Sequence, residues 1–210
     1  MACRCRHPTQ HPEEGIAVGD KDYILAGVGA GGTDGTGLAF FGPLGSTLPT
    51  DATSALNAAL LDAGRITEDG LTFKPDVSTK EIKAYGSNQI QRTLITDEKT
   101  TFEIAFLETN AVTVAVYSKK LLSAITVSGT GGIATTYGAS GQIHYAAVFD
   151  IIDGLNHVRY VCPDVDVTGR KEVKVASGEV ISRGVTLTAY PDDTGIAVYE
   201  YNIVDALAGS

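Results

Sequence analysis

The chain has 210 residues, 43% of them hydrophobic and 20% charged, which suits one core-bearing domain with extensions and argues against global disorder. Its formal net charge is −9, with 16 basic residues scattered among 25 acidic ones. A tight nucleic-acid binder needs clustered Lys and Arg to displace counterions, so that class is excluded, although a surface that nucleic acid slides past without sticking stays compatible. No run of about 18 apolar residues is present, which excludes a membrane-spanning helix.

Residues 1–21 carry prolines, histidines and charges without periodicity and are predicted to form a flexible N-terminal arm, leaving 22–210 as a single β-rich domain. The basic start of that arm lacks the apolar stretch of a secretory signal, so synthesis in a cytoplasm is expected. Cys3, Cys5 and Cys162 cannot all pair, and the first two lie too close for a useful loop, so no disulfide framework is predicted. Cys3, Cys5, His7 and His11 resemble a ligand cluster, but one residue between the cysteines departs from zinc-knuckle spacing, and nothing downstream closes a site.

Tyr23–Ala26 and Leu38–Phe41 read as short strands flanking the Gly-rich stretch 27–37. Within that stretch Gly27, Gly29 and Gly32 match the dinucleotide-binding pattern. The mechanism requires a helix to open at the last glycine, whereas the chain here runs on through further glycines toward another strand, which favours a loop. A helix is predicted over 51–63, with Thr50 and Asp51 as caps, Gly64 as a left-handed stop, and Ala52, Ala55, Leu56, Ala59, Leu60 and Ala63 on one face.

From Leu71 onward strands dominate. Phe102, Ile104 and Phe106 alternate onto one face of 101–106, and Ile143, Tyr145, Ala147, Phe149 and Ile151 onto one face of 142–152. The other side of that second strand mixes Gln142, His144 and Asp150 with Ala146, Val148 and Ile152. Val112, Val114 and Val116 give 110–120 a strand-like period, although Thr109 and Asn110 suit a helix start and Lys119 and Lys120 a helix end; periodicity alone favours strand. The interval 129–141 reads as a Gly-rich loop, and two strands at 183–190 and 196–203 are joined by a turn over 191–195.

No catalytic, cofactor-binding or metal-binding residue is predicted, and no cofactor. The chain has no G-x-S-x-G elbow, Walker loop or H-E-x-x-H. His144 and His157 have no nucleophile partner in sequence, Cys162 reads as a small buried hydrophobe, Asp150 and Asp153 point to opposite faces of a strand, and Asp192 and Asp193 belong to a turn. A non-enzymatic role follows.

The stretch 37–56, GLAFFGPLGSTLPTDATSAL, resembles the opening of major tail tube proteins from long-tailed, non-contractile phages of actinobacteria. The similarity continues through LDAGRITEDGL at 61–71, IKAYG at 82–86, RTLITDE at 92–98 and TFEIAFLETN at 101–110. It covers about 37–120, with a second patch near 182–202 that includes GVTLTAYP.

The resemblance implies a mainly β, sandwich- or barrel-like domain with one or two short flanking helices and extended arms. It also implies a helix after the Thr109–Asn110 pair, against the valine period. It further implies self-assembly into hexameric rings stacked as a hollow tube in the virion tail, through which DNA passes without specific binding. The expected neighbours are the tape measure protein, the tail terminator and distal tail or baseplate proteins, with no membrane partner. Segments 1–21, 27–37 and 75–90 are expected to be flexible until adjacent subunits order them. Polar strand faces carrying Glu103 or Asp150 are expected to contribute to an acidic lumen. Rival readings are a β-rich adhesion or binding module and a head–tail connector, since fold alone does not separate them.

Overall fold

The computed structural model describes residues 38–139 and 141–205. The arm at 1–21, the strand expected at 23–26 and the Gly-rich stretch 27–37 lie outside them. The described chain is mainly β, as expected, with one short helix. In chain order the strands are β1 (Ala39–Pro43), β2 (Leu61–Asp62), β3 (Ile66–Lys83), β4 (Ile90–Phe106), β5 (His144–Asp153), β6 (Asn156–Arg170), β7 (Arg183–Tyr190) and β8 (Tyr199–Ile203). The helix α1 (Ala111–Ser118) follows β4, and a 3-10 turn spans Leu122–Ala124.

All pairings between these strands are antiparallel, in the order β2-β1-β5-β6-β7-β4-β3, with β8 also beside β6. One edge of β6 is shared: His157–Val161 pair with β8 and Asp164–Arg170 with β7. The two ends of this order are neighbouring pieces of one chain. Asp62 pairs with β1, and Ile66, four residues on, pairs with Phe106 of β4. An extended chain covers at most about 14 Å in that distance, so the sheet must curl until its edges meet. Gly64 makes the corner at φ +80°, and the Glu108 carboxylate lies against its Cα where no side chain would fit. The Ala63 amide donates to Ala39 O and the Leu107 amide to Arg65 O, both at 2.9 Å, tying the corner to both edges.

The core lies inside this curl. Phe41, Phe102, Phe106, Tyr145, Phe149, Val165, Val185 and Leu187 are buried together. Rings from opposite walls meet across it: Phe41 and Phe106 at 6.0 Å, Phe102 and Phe149 at 4.8 Å. Each such side chain contributes about 1.5–3 kcal/mol on burial. The alternations expected at 101–106 and 142–152 place Phe102, Ile104, Phe106, Tyr145, Ala147 and Phe149 here.

The apolar residues on the far face of β5 also have a cause. Leu60, Ala146, Val148 and Val161 form a second cluster with Phe40, Leu48, Leu56, Tyr199 and Tyr201, so the chain between β1 and β2 covers that face.

That covering segment is not the helix expected over 51–63. Asp51 Oδ1 does accept from the Thr53 and Ser54 amides at 2.7 and 2.5 Å, as an N-cap would. Those hydrogen bonds hold its carboxyl below the ordinary carboxylate range, Ser54 contributing most. But the carbonyls of Asp51 and Ser54, which the next helical turn needs as acceptors, instead receive Arg159 Nη1 at 3.0 and 2.8 Å. Asn57 then makes a second local turn, accepting from the Ala59 amide at 2.9 Å. A contact more than a hundred residues away in sequence replaces helix propagation.

The 110–120 segment forms the helix that the resemblance implied, not the strand its valines suggested. Asn110 Oδ1 accepts from the Thr113 amide at 2.9 Å while Thr113 Oγ1 accepts from the Asn110 amide at 3.0 Å, a capping box. Asn110 Nδ2 also donates to Ala63 O at 3.0 Å, fixing the helix start to the barrel corner. Lys119 ends α1 in the left-handed region at φ 54°. The helix is buried on several sides: Val112 and Val116 join the main core, Val114 and Ala115 a third cluster with Ile125. Burial all round erases the one-sided period that marks a surface helix.

Candidate assembly interface

Among the described residues the structure brings none of the weighed side chains into a reactive arrangement, and Cys3, Cys5, His7 and His11 lie outside those residues. Among the described residues no group of three or more His, Cys, Asp or Glu could hold a metal ion. Cys162 is buried in the main core, where desolvation pushes its thiol up. His144 Nδ1 lies 2.6 Å from Asp164 Oδ1 on the neighbouring strand. Asp192 shapes its turn by accepting from Thr194 Oγ1 at 2.6 Å and Tyr199 Oη at 2.7 Å, which hold its carboxyl well below the usual range.

Asp150 has a structural task. Its Oδ1 and Oδ2 accept from Arg159 Nε and Nη2 at 2.6 and 2.8 Å, a bidentate pair between directly opposed residues of β5 and β6. His157 Nε2 lies 3.3 Å from Asp150 Oδ1 but is not aligned for a hydrogen bond. Asp150 is only 6% exposed, so in the folded subunit its charge is spent on Arg159 and not on a lumen. That corrects the expectation for Asp150. Glu103 does stay half-exposed on the outer face of β4, 3.5 Å from Lys171 Nζ.

What stands out instead is an arm. β3 and β4 have 18 and 17 residues, but β7 pairs with β4 only from Thr100 to Phe106. Ile90–Lys99 therefore pair with β3 alone, and the ribbon runs about 33 Å beyond Thr100 at the usual rise per residue. Its turn is closed by the Ser87 amide donating to Ala84 O at 3.1 Å, with Gly86 at φ +76°. Register shifts at Ser78/Thr79 and Ile82/Lys83 mark bulges, which add local twist.

Most of the 75–90 segment, expected to be flexible until neighbours order it, pairs as strand within this ribbon. Its Val and Thr positions suit a pleated ribbon, and pairing from Lys74↔Thr101 to Ile82↔Arg92, with one shift at Ser78/Thr79, supplies the hydrogen bonds.

The arm leaves apolar side chains in water. Val77, Ile82, Tyr85, Ile90 and Ile95 are all exposed, Ile95 at 63%. By alternation Val77 continues the face on which Phe73 stacks over Tyr160 and meets Phe102, with centroids at 5.1 Å in both cases, so the core's apolar stripe runs out onto the ribbon. Both outer edges of the distal ribbon are unpaired among the described residues. A two-stranded ribbon is marginally stable in water, and its free edges are templates for pairing with another chain. The missing hydrophobic cover and hydrogen bonds are what a neighbouring protein surface can supply.

Reading the residues one at a time missed this element. The available signal was a strand-rich stretch from 71 to 106 interrupted by a single turn, Ala84–Asn88, with more apolar positions than its own pairing buries.

No curated protein sequence matches the chain. The family model described as phage tail tube protein matches residues 31–207, spanning all eight strands, the arm and α1. The chain therefore belongs to the phage tail tube protein family.

Proposed function

We propose that the protein is the major tail tube subunit of a long-tailed, non-contractile phage, forming hexameric rings that stack into a hollow tube for genome passage. The observation that carries this reading is the β3–β4 arm, an extended ribbon with exposed apolar residues and free edges on an otherwise curled, core-bearing sheet. A ring is a heterologous assembly that closes on itself, and stacking leaves an open direction whose length other proteins must set. The tape measure protein, the tail terminator and distal tail or baseplate proteins fit those roles. Synthesis and assembly take place in the host cytoplasm, and the role is mechanical, not catalytic.

The outer face of β4 and β7, with Thr101, Glu103 and Thr186 half-exposed on it, is the candidate lumen surface. The hydroxyl groups offer phosphate no counter-charge and Lys171 is paired with Glu103, so DNA can slide. Negative-stain microscopy of the purified chain tests the reading. Hollow filaments of uniform width at high concentration support it; a chain that stays monomeric at every concentration overturns it.

A further inference from the structure

Basic side chains collect around one cleft of a chain whose net charge is −9. Where α1 ends, Lys119, Lys120, Thr136, Tyr137 and Arg170 line part of a cavity of about 330 Å³. A second cavity of about 410 Å³ shares Lys119 and Arg170 with it and adds Thr168 and Gly169 of β6. No Asp or Glu lines either one.

Cations are common at a helix C-terminus, where they complement the dipole and bond to the last carbonyls. Here those carbonyls already have donors. Val114 O accepts from Ser118 Oγ at 2.6 Å, Ala115 O from the Lys120 amide at 3.0 Å and Val116 O from the Lys119 amide at 3.1 Å. The Lys119 ammonium is neutralised by Asp166 at 3.2 Å, a carboxylate whose side chain is 3% exposed. Two positive charges are left for the cleft. Lys120 Nζ donates to Thr136 Oγ1 at 2.8 Å and has two further N–H groups to give. The Arg170 guanidinium lies over the Tyr117 ring at 5.9 Å. Its hydrogen bond among the described residues is a long one, from Nη1 to Tyr117 O at 3.5 Å, so most of its five donors stay open.

A planar fork held against an aromatic ring, beside an ammonium without a carboxylate partner among the described residues, matches a tetrahedral oxyanion of two negative charges. We infer that this cleft binds a phosphate dianion, free or as the terminal phosphate of a nucleotide. The bound anion joins the end of α1, the end of β6 and the Gly-rich loop, which Lys120 reaches through Thr136. Phosphate thus clamps that loop to the body of the subunit. The site stands apart from the tube reading, since it is complete in one chain.

Calorimetric titration of the dispersed full-length chain with sodium phosphate, at ionic strength held constant with chloride, tests the site. Saturable binding of one phosphate per chain is expected, with adenosine monophosphate binding alike and adenosine not at all. Lys120→Ala and Arg170→Ala should each weaken it about tenfold, the loss of one charge-assisted contact. Lys174→Ala, an exposed lysine outside both cavities, should leave it unchanged. Amide hydrogen exchange of the parent chain gives a readout that needs no variant: phosphate should slow exchange at 134–139. No saturable binding overturns the site, as does exchange at 134–139 that phosphate leaves unaltered. Equal weakening by Lys174→Ala overturns it in favour of diffuse attraction. An oligonucleotide lacking a terminal phosphate that binds more tightly than inorganic phosphate overturns it in favour of a groove for nucleic-acid backbone.

Discussion

The strands β3 and β4 belong to two regions with opposite physics. Between Thr100 and Phe106 they are walls of the curled sheet, with Phe102 and Phe106 fully buried and β7 completing the ladder. Between Val77 and Ile95 the same two strands have only each other, and their apolar residues face water. One continuous pair of strands thus holds a self-sufficient half and a half that is completed from outside. The lesson is that strand propensity and pairing specify the ribbon throughout, while burial decides which part of it is stable alone.

Substitutions separate the two regions, because those in the barrel should act on the stability of the single chain and those in the arm on assembly. Phe102→Ala should cost about 3–5 kcal/mol in denaturant unfolding of the dispersed chain, since it empties the centre of the aromatic cluster. Arg159→Ala should cost a similar amount, about 3–5 kcal/mol, because it leaves Asp150 buried without its partner. It also frees the Asp51 and Ser54 carbonyls, so circular dichroism of this variant should show whether helix then forms over 51–63. Asn110→Ala should cost about 1 kcal/mol through loss of the helix cap, read from the same unfolding curves. Ile95→Lys should change single-chain stability by less than about 0.5 kcal/mol, yet reduce the yield of sedimentable filaments. An Ile95→Lys chain that unfolds as easily as Phe102→Ala would erase the distinction between the regions.

Much of the barrel was legible in the sequence because it is half-buried in a regular way. Alternation at 101–106 and 142–152 reports a face that meets a core, and the strand expected at 183–190 is β7 with the same bounds. Where burial is two-sided or long-range, the pattern loses its meaning. Valines at 112, 114 and 116 mimic a strand because α1 is covered on several sides. The alanine stripe at 52–63 mimics a helix because nothing local announces that Arg159 will take its carbonyls. The arm's strand pairing is hidden for a related reason: a segment with strand composition and no burial looks, residue by residue, like a loop. Family resemblance carried the helix after Asn110, which the residues alone left open between strand and helix. Asp150 shows the opposite limit, since a polar residue on a strand reads as solvent-facing until the opposed Arg159 is seen.

The central claim is that the barrel is complete in one chain and the arm is completed by neighbours. Amide hydrogen exchange, compared between the dispersed chain and its assembled form, tests it most directly. The account predicts that amides of 100–106 and 183–190 are equally protected in both, whereas those of 77–83 and 90–97 exchange freely in the dispersed chain and become protected on assembly. Arm amides already protected in the dispersed chain, or still unprotected in the assembly, would contradict it.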